Sequence, residues 1–417
     1  MSIYELSLKQ TETLQEYLKN KLWKSWICLS QSSARASVLF ALKADGELRL
    51  CVNYCELNAM IVKNCYSLSL IDEMLSHLAG AHYFFKIDLC DAYHWIRIKE
   101  EDEWKTTFHT KFESFEYLIM PFELSNAPAT FQSYINRALV GLVDVCCVVY
   151  LDNILIFLDS KGDHEKHIRL VMECLREYQL FAKLPKCAFK WQMISYLSYV
   201  INIKGIKMDS KRVQTIVKWP LPQSFHNVQM FLGFANFYWK FIWKYLVIVV
   251  PLTDLLKGSE NDQKRGSFSL TLTARKAFHE LQEAFFRESV IHHYDSECRI
   301  HLKMNMSEHA VGTILLQLFD NSWHSVIYWS FKFNQAQQAY DTLDKEMLAI
   351  VWVFVHWQQY LEGMKYPIEV ITDHANLHSF MKPTSKVAQW HLLLLFFIWG
   401  VCSQRLWHLP GKPGFAS

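Results

Sequence analysis

Two short, almost wholly apolar runs constrain the fold more than anything else in this chain: YFFKIDL at 83–89 and CCVVYLDNILIFL at 146–158. Strands this apolar are covered on both faces, so they predict the middle of a sheet. The first run carries one lysine, Lys86, and one aspartate, and the second keeps its polar pair at one place. Asp88 closes the first strand, and Asp152-Asn153 sits at the turn of a hairpin with arms CCVVY and ILIFL. Carboxylates that converge from separate elements can hold divalent cations about 4 Å apart for phosphoryl transfer. Asp and Asn also favour tight turns in their own right, so turn chemistry alone is an alternative reading.

Other segments surround these strands. Residues 4–27 read as an amphipathic helix with Leu14, Leu18 and Leu22 on one face, broken at Gln31-Ser32-Ser33. VLFALKADGELRLCVNY, from Val38, reads as a hairpin turning at Ala44-Asp45-Gly46. A helix is expected over Ser69–Ala79, another in HEKHIRLVMECLREYQL, strands in SYLSYVINIKGIKM, and helices onward to Leu256. GSENDQKRG, from Gly258 to Gly266, has linker composition and marks a boundary. Beyond it, a helix over Thr273–Glu288 precedes strands at Arg299–Leu302, Val311–Leu318 and Val326–Trp329. A helix over Asp344–Leu361 and a strand at Ile368–Thr372 complete a compact α/β pattern.

A chain of 417 residues exceeds one core, so two to four domains are expected. Hydrophobic content of 51% with 20% charged residues excludes a disordered or fibrous chain. Lys plus Arg number 43 against 41 Asp plus Glu, a net charge of +2, so any basic groove must be local. Eleven cysteines lack CxxC or zinc spacing, which suits reduced thiols in an intracellular protein of cytoplasm or nucleus. No secretory signal is legible, and the apolar runs Tyr245–Leu252 and Leu392–Val401 fall short of the ~20 residues that span a bilayer. No membrane insertion is expected. His164 and His167 lie about one helical turn apart but lack a third ligand, which suits a solvated face. In FLGFANFYWKFIWKY the aromatics suit a core, or base stacking with Lys240 and Lys244 on phosphates.

Long ordered motifs go further. LFALKADGELRLCVNYCELNAMIVKNCYSLSLIDEML, FFKIDLCDAYHWIRIKEEDEWKTTFHT, FEYLIMPFELSNAPATFQSYIN, VVYLDNILIF, GIKMDSKRV, WPLPQSFHNVQMFLGFANFYWKFI and PLTDLLK together resemble the reverse transcriptases of gypsy-type LTR retrotransposons. From about Leu270, HAVGTILLQ, VIYWSFKFNQAQQAYDTLDKEMLAIVWVFVHWQQYLEG and YPIEVITDHANLHSF resemble that family's ribonuclease H domain. The resemblance implies an α+β fold: a right-hand polymerase of fingers, palm and thumb, then a ribonuclease H-like α/β domain cut short at its C-terminus. It implies a helical lead at 1–31, fingers and palm at 32–202, thumb and connection at 203–266, and the nuclease domain at 267–417.

It also implies an RNA-directed DNA polymerase with ribonuclease H activity, dependent on Mg²⁺ or Mn²⁺. Substrates and partners would be dNTPs, an RNA template, a DNA primer and RNA·DNA hybrid. Asp88 and Asp152 would hold metal, Tyr93 would act as a steric gate against a ribose 2′-hydroxyl, and Lys43 and Arg49 would meet the triphosphate. Phe122 and Gln132 fall on the same substrate side. Glu346 and Asp373 match two of the nuclease's four acidic metal ligands. The chain departs from the pattern at telling places. Asn153 replaces a second aspartate, Glu123 a glycine, Asn53 and Cys55 an Asp and an Arg, and Asn305 the first nuclease aspartate. An amide supplies an oxygen but no charge, and Glu123 would repel phosphates. Both activities are therefore expected to be impaired, the alternative being a non-catalytic remnant that binds RNA·DNA hybrid or does nothing.

Overall fold

The computed structural model describes residues 6–42, 46, 48–158, 161–257, 268–287, 290–307 and 309–372. The chain divides into two compact units, Met1–Gln192 and Met193–Ser417.

In the first unit, α1 (Leu8–Trp23) opens on a capping box between Ser7 and Gln10 and buries Leu14 and Leu18. The helix stops short of its expected end. Ser25 turns the chain through φ +55°, Leu22 stays exposed, and Ile27–Leu29 becomes strand β1. Next come β2 (Ala36–Leu42), β3 (Leu48–Val52), α2 (Cys55–Met60), α3 (Ile71–Ser76), β4 (Tyr83–Asp88), β5 (Phe108–His109) and β6 (Ser114–Tyr117). Then follow α4 (Ala127–Ala138), β7 (Cys147–Tyr150), β8 (Asn153–Leu158), α5 (Lys161–Glu177) and β9 (Ala188–Trp191). A five-stranded sheet of order β1-β6-β5-β2-β3 packs Val38, Val52, Phe108 and Tyr117 against Leu14 and Leu18. Gly46, at φ +81°, makes the β2–β3 turn. The second sheet, β7-β8-β4-β9, sets the two apolar runs side by side at its centre. There Ile87, Val149, Ile154 and Ile156 pack with Phe131 and Ile135 of α4 and Val171 of α5.

The second unit starts with an antiparallel meander, β10 (Met193–Tyr196), β11 (Tyr199–Asn202) and β12 (Gly205–Met208), followed by α6 (Ser210–Val217), α7 (Phe225–Asn236), α8 (Tyr245–Asp254) and α9 (Leu272–Phe286). Strand β13 (Ile291–His292) closes on β12, and a Cβ on Gly205 would lie 2.1 Å from the Ile291 carbonyl oxygen, so only glycine fits. Part of the aromatic stretch is core, since Phe231, Tyr238, Phe241 and Tyr245 are buried, while Phe237 remains exposed. Lys240 is 8% exposed, with its ammonium 4.6 Å from the Tyr199 ring centroid, so it is not presented to phosphates.

Beyond them lie β14 (Ile300–Met306), β15 (Ala310–Phe319), β16 (Ser322–Lys332), α10 (Gln335–Gln338), α11 (Thr342–His356), α12 (Gln358–Leu361) and β17 (Glu369–Ile371). The sheet order is β16-β15-β14-β17, with β17 parallel to β14. The single helix expected over 344–361 breaks at Trp357, which leaves helical geometry as its side chain fills the core beneath the sheet. The 258–266 linker and the Leu392–Val401 run lie outside the described residues. No helix among the described residues is long and apolar enough to cross a membrane.

One side chain closes the C-terminal end of α6. The amide nitrogen of Gln282, on α9, lies 3.0 Å from the carbonyls of both Ile216 and Val217 and 3.1 Å from that of Trp219, so its two N–H groups are shared among three acceptors at the helix end. Gln282→Met should therefore lower stability by about 1–3 kcal/mol in denaturant unfolding, since it keeps the bulk and removes the donor.

Candidate active site

The central sheet of the first unit brings the polar ends of the two apolar runs together. In the β4–β8 ladder Asp88 stands directly opposite Asn153, which also faces Tyr150 across the β7–β8 hairpin. Directly opposed residues share a face of the sheet, so Asn153 and Asp88 are neighbours. Leu151 makes the turn at φ +54°, and the Leu89 N–H donates to the Asp152 carbonyl at 2.8 Å, which ties the turn to the strand carrying Asp88.

The side-chain amide of Asn153 donates to a carboxylate oxygen of Asp152 at 2.9 Å. Burial pushes the Asp152 carboxyl up, and the charge of Asp88 pushes the same way. Its own backbone N–H, Lys186 and the Asn153 amide oppose them. Asp88 is 7% exposed, with the Lys186 ammonium 3.5 Å from both its oxygens. Each carboxylate thus already has an internal partner.

These groups open into a cleft of about 430 Å³. Its walls include Arg49, Tyr93, Phe122 and Glu123 with Asp88 and Asp152, and also Tyr17, Lys21, Asp91, Lys183 and Lys186. Tyr93 meets Phe122 edge-on at 5.2 Å, and the Arg49 guanidinium lies 5.8 Å from the Phe122 ring centroid. Glu123 is half-buried, and burial raises its carboxyl despite backbone N–H donors and Arg49. Its backbone carbonyl accepts from the Asn58 amide at 2.9 Å, which pins the loop to α2. Asn53 accepts from the Cys55 N–H at 3.1 Å, a local turn bond that needs no ligand.

Gln132 is not on the cleft, contrary to the expectation that it meets substrate. It is fully buried on α4, where its amide donates to Asn136 at 2.8 Å and to the Val149 carbonyl at 3.2 Å and accepts from the Leu151 N–H at 2.8 Å. Gln132 positions the hairpin turn. Lys186, Lys183, Lys21 and Asp91 were missed from sequence because each reads as an ordinary surface charge until the chain folds. Lys43 lies outside the described residues.

In the second unit Glu346 is buried on α11, against Met304, Met306, Val311, Ala349 and Thr372. Asn305 pairs with Gly312, at the strand position alternate to Met304 and Met306. Alternation therefore sets it on the other face, where a Cβ on Gly312 would meet Lys244. The sheet does not bring Asn305 onto the face of Glu346. Asp373 lies outside the described residues. Among the described residues no three of His, Cys, Asp and Glu are arranged to hold a metal ion, and His167 joins no such group.

Comparison with known proteins agrees with this architecture. Residues 41–201 match the family model described as reverse transcriptase (RNA-dependent DNA polymerase), and residues 270–370 match an RNase H-like domain found in reverse transcriptase. The Tf2-7 and Tf2-3 transposon polyproteins of Schizosaccharomyces pombe are 34% and 33% identical over 400 residues, which is 94% of this chain. The chain spans only 30% of their length. Two foamy viral protease-reverse transcriptase structures share the fold at 18% and 19% identity. One, in complex with double-stranded DNA, has a TM-score of 0.83 and covers all of this chain and 72% of its own. The other, in complex with RNA/DNA hybrid, has a TM-score of 0.76 and covers all of this chain and 55% of its own.

Two outcomes follow from the geometry. Gln132→Leu should destabilise the first unit by about 1–3 kcal/mol in denaturant unfolding, because it removes the partners of the part-buried Leu151 N–H and the buried Val149 carbonyl. The raised Glu123 carboxyl favours folding while protonated, a contribution lost as pH rises from the ordinary glutamate value of about 4.3 through the folded one. Glu123→Gln should therefore melt higher than the parent at pH 7.5, and the advantage should vanish near pH 3.5.

Proposed function

The chain belongs to the gypsy-type retrotransposon Pol family, as a reverse transcriptase domain followed by an RNase H-like domain, and on that premise we propose an RNA-directed DNA polymerase and ribonuclease H whose centres are both impaired. The observation that carries the reading is the Asn153 amide bonded to Asp152, at a position where the resemblance calls for a carboxylate. We assign the fingers and palm to 32–202 behind the lead at 1–31, the thumb and connection to 203–266, and the nuclease domain to 267–417. The foamy viral protease-reverse transcriptases in complex with double-stranded DNA and with RNA/DNA hybrid support primer, template and hybrid as partners here.

Asp88 and Asp152 are two carboxylates at one cleft, a donor set that suits one Mg²⁺ or Mn²⁺ completed by substrate phosphates. Bound there, the ion would supply charge stabilisation for nucleotidyl transfer. The third carboxylate that would balance a second ion is missing at Asn153. Tyr93, braced edge-on by Phe122, forms the wall against which a nucleotide sugar rests and excludes a 2′-hydroxyl. Arg49 offers its guanidinium to phosphate while Glu123 competes for it. Lys186 must give up Asp88 before that carboxylate can serve a cation. In the nuclease domain Glu346 keeps its carboxylate, whereas Asn305 provides no charge. The Lys186 and Asn153 contacts also favour a second reading, a non-catalytic remnant that binds RNA·DNA hybrid by backbone charge and shape.

Primer extension on an RNA template with Mg²⁺ tests the proposal. Asn153→Asp combined with Glu123→Gly should extend at least on the order of 100-fold faster than the parent, the scale of regained charge stabilisation. Robust extension by the parent would overturn impairment. Extension by neither, with hybrid binding that weakens steeply with salt, would favour the remnant.

A further inference from the structure

At the root of the hairpin that carries Asp152, between the end of α4 and the start of β7, two adjacent cysteines converge on one oxygen. The Leu142 carbonyl accepts from the backbone N–H of Val145 at 3.2 Å, Cys146 at 3.0 Å and Cys147 at 3.2 Å. It also lies 3.6 Å from the Cys146 Sγ and 3.4 Å from the Cys147 Sγ. A carbonyl oxygen has two lone pairs, and three N–H donors already exceed them. The thiol bonds are therefore surplus, and drawing them away costs the turn little. The turn is held independently, since the Asp144 N–H donates to the Cys147 carbonyl at 2.8 Å and Val143 bridges to Cys147.

We propose that Cys146 and Cys147 form a preorganised vicinal dithiol site for trivalent arsenicals, whose arsenic forms covalent bonds to two thiols at once. The backbone has already gathered both sulfurs to one side of the turn, so the entropy of bringing two thiols to one centre is largely spent before ligand arrives. The thiols also hydrogen-bond one another, which draws Cys146 below the ordinary thiol range and pushes Cys147 above it. With a mono-organic arsenoxide the step is a condensation. Two S–H bonds and the arsenic–oxygen bonds break, two As–S bonds form, and the oxygen leaves with both protons as water. No oxidant is consumed. The apolar surroundings, Leu139, Ile156 and Val171, suit a neutral dithioarsenite. Both cysteines are buried, so entry requires the 139–146 turn to open, a turn whose Val140 and Val145 side chains already face solvent. Cys174 of α5 packs against the same cluster but belongs to a separate element, and the site does not need it.

The test uses the full chain, reduced and desalted, titrated with phenylarsine oxide. One arsenical should protect two thiols from a thiol-counting reagent, slowly on and reversed by ethanedithiol but not by an equal concentration of a monothiol. Cys146→Ser and Cys147→Ser should each weaken binding on the order of 100-fold, because the second As–S bond is then no longer intramolecular. Cys174→Ser should bind like the parent. Unchanged affinity in both vicinal variants, or loss in Cys174→Ser equal to theirs, would overturn the proposal. If Cys147→Ser fails to fold, Cys146→Ser and mapping of the adduct on the parent's 142–147 peptide decide the matter. None of these readouts depends on polymerase activity.

Discussion

The first unit depends on the register in which β4 meets β8. With Ile87 opposite Ile154 and Asp88 opposite Asn153, the apolar side chains fall into the core between α4 and α5, and the polar pair emerges at the strand ends. A slip of one residue would part Asp88 from Asn153 and mismatch every apolar pair along the ladder, so the packing of those pairs fixes the position of the polar pair. Gln132 adds a second constraint by holding the Val149 carbonyl and the Leu151 N–H from its fully buried place on α4. The turn's left-handed Leu151 is tolerated because these bonds over-determine it.

Such a frame was legible where periodicity and side-chain type coincide. Apolar runs too short for helices, ending in Asp or turning at Asp-Asn, give both the central strands and the site, because burial on two faces leaves few alternatives. The β2–β3 hairpin was legible through Gly46. Contacts distant in sequence were hidden. Nothing in AKLPKCAF distinguishes Lys186 from a solvated lysine, and only folding sets it against Asp88. The resemblance puts Gln132 on the substrate side, yet its bonds to Val149 and Leu151 follow from burial, which a motif does not state. At the first helix, polar and apolar spacing continued through Trp26, but Ser25 took a left-handed conformation that no periodicity announces. Asn305 shows the same limit. The strand expected over Arg299–Leu302 runs on through it to Met306, and the face it occupies depends on which side α11 covers.

The cleft is also close to electrically balanced. Asp88, Asp91, Glu123 and Asp152 line it with Lys21, Arg49, Lys183 and Lys186. Burial, the largest influence on both Glu123 and Asp152, favours the protonated acid, while the neighbouring cations favour the anion. With an amide at Asn153, the carboxylates of Asp88 and Asp152 each keep an internal partner, so neither is a buried unpaired charge.

The parallel pairing of β17 with β14 bears on how the second unit is born. His301 meets Glu369 and Leu302 meets Val370, so β14 acquires that neighbour only after β15, β16 and the intervening helices have been synthesised. Loop-closure entropy must be met before such a distant contact rewards it, so this edge forms late. On the ribosome the antiparallel β14–β15–β16 portion can assemble first, with one flank of β14 still open. For that interval the emerging sheet offers unpaired backbone to any other strand nearby, and speed of translation becomes part of what keeps the chain from pairing with the wrong partner.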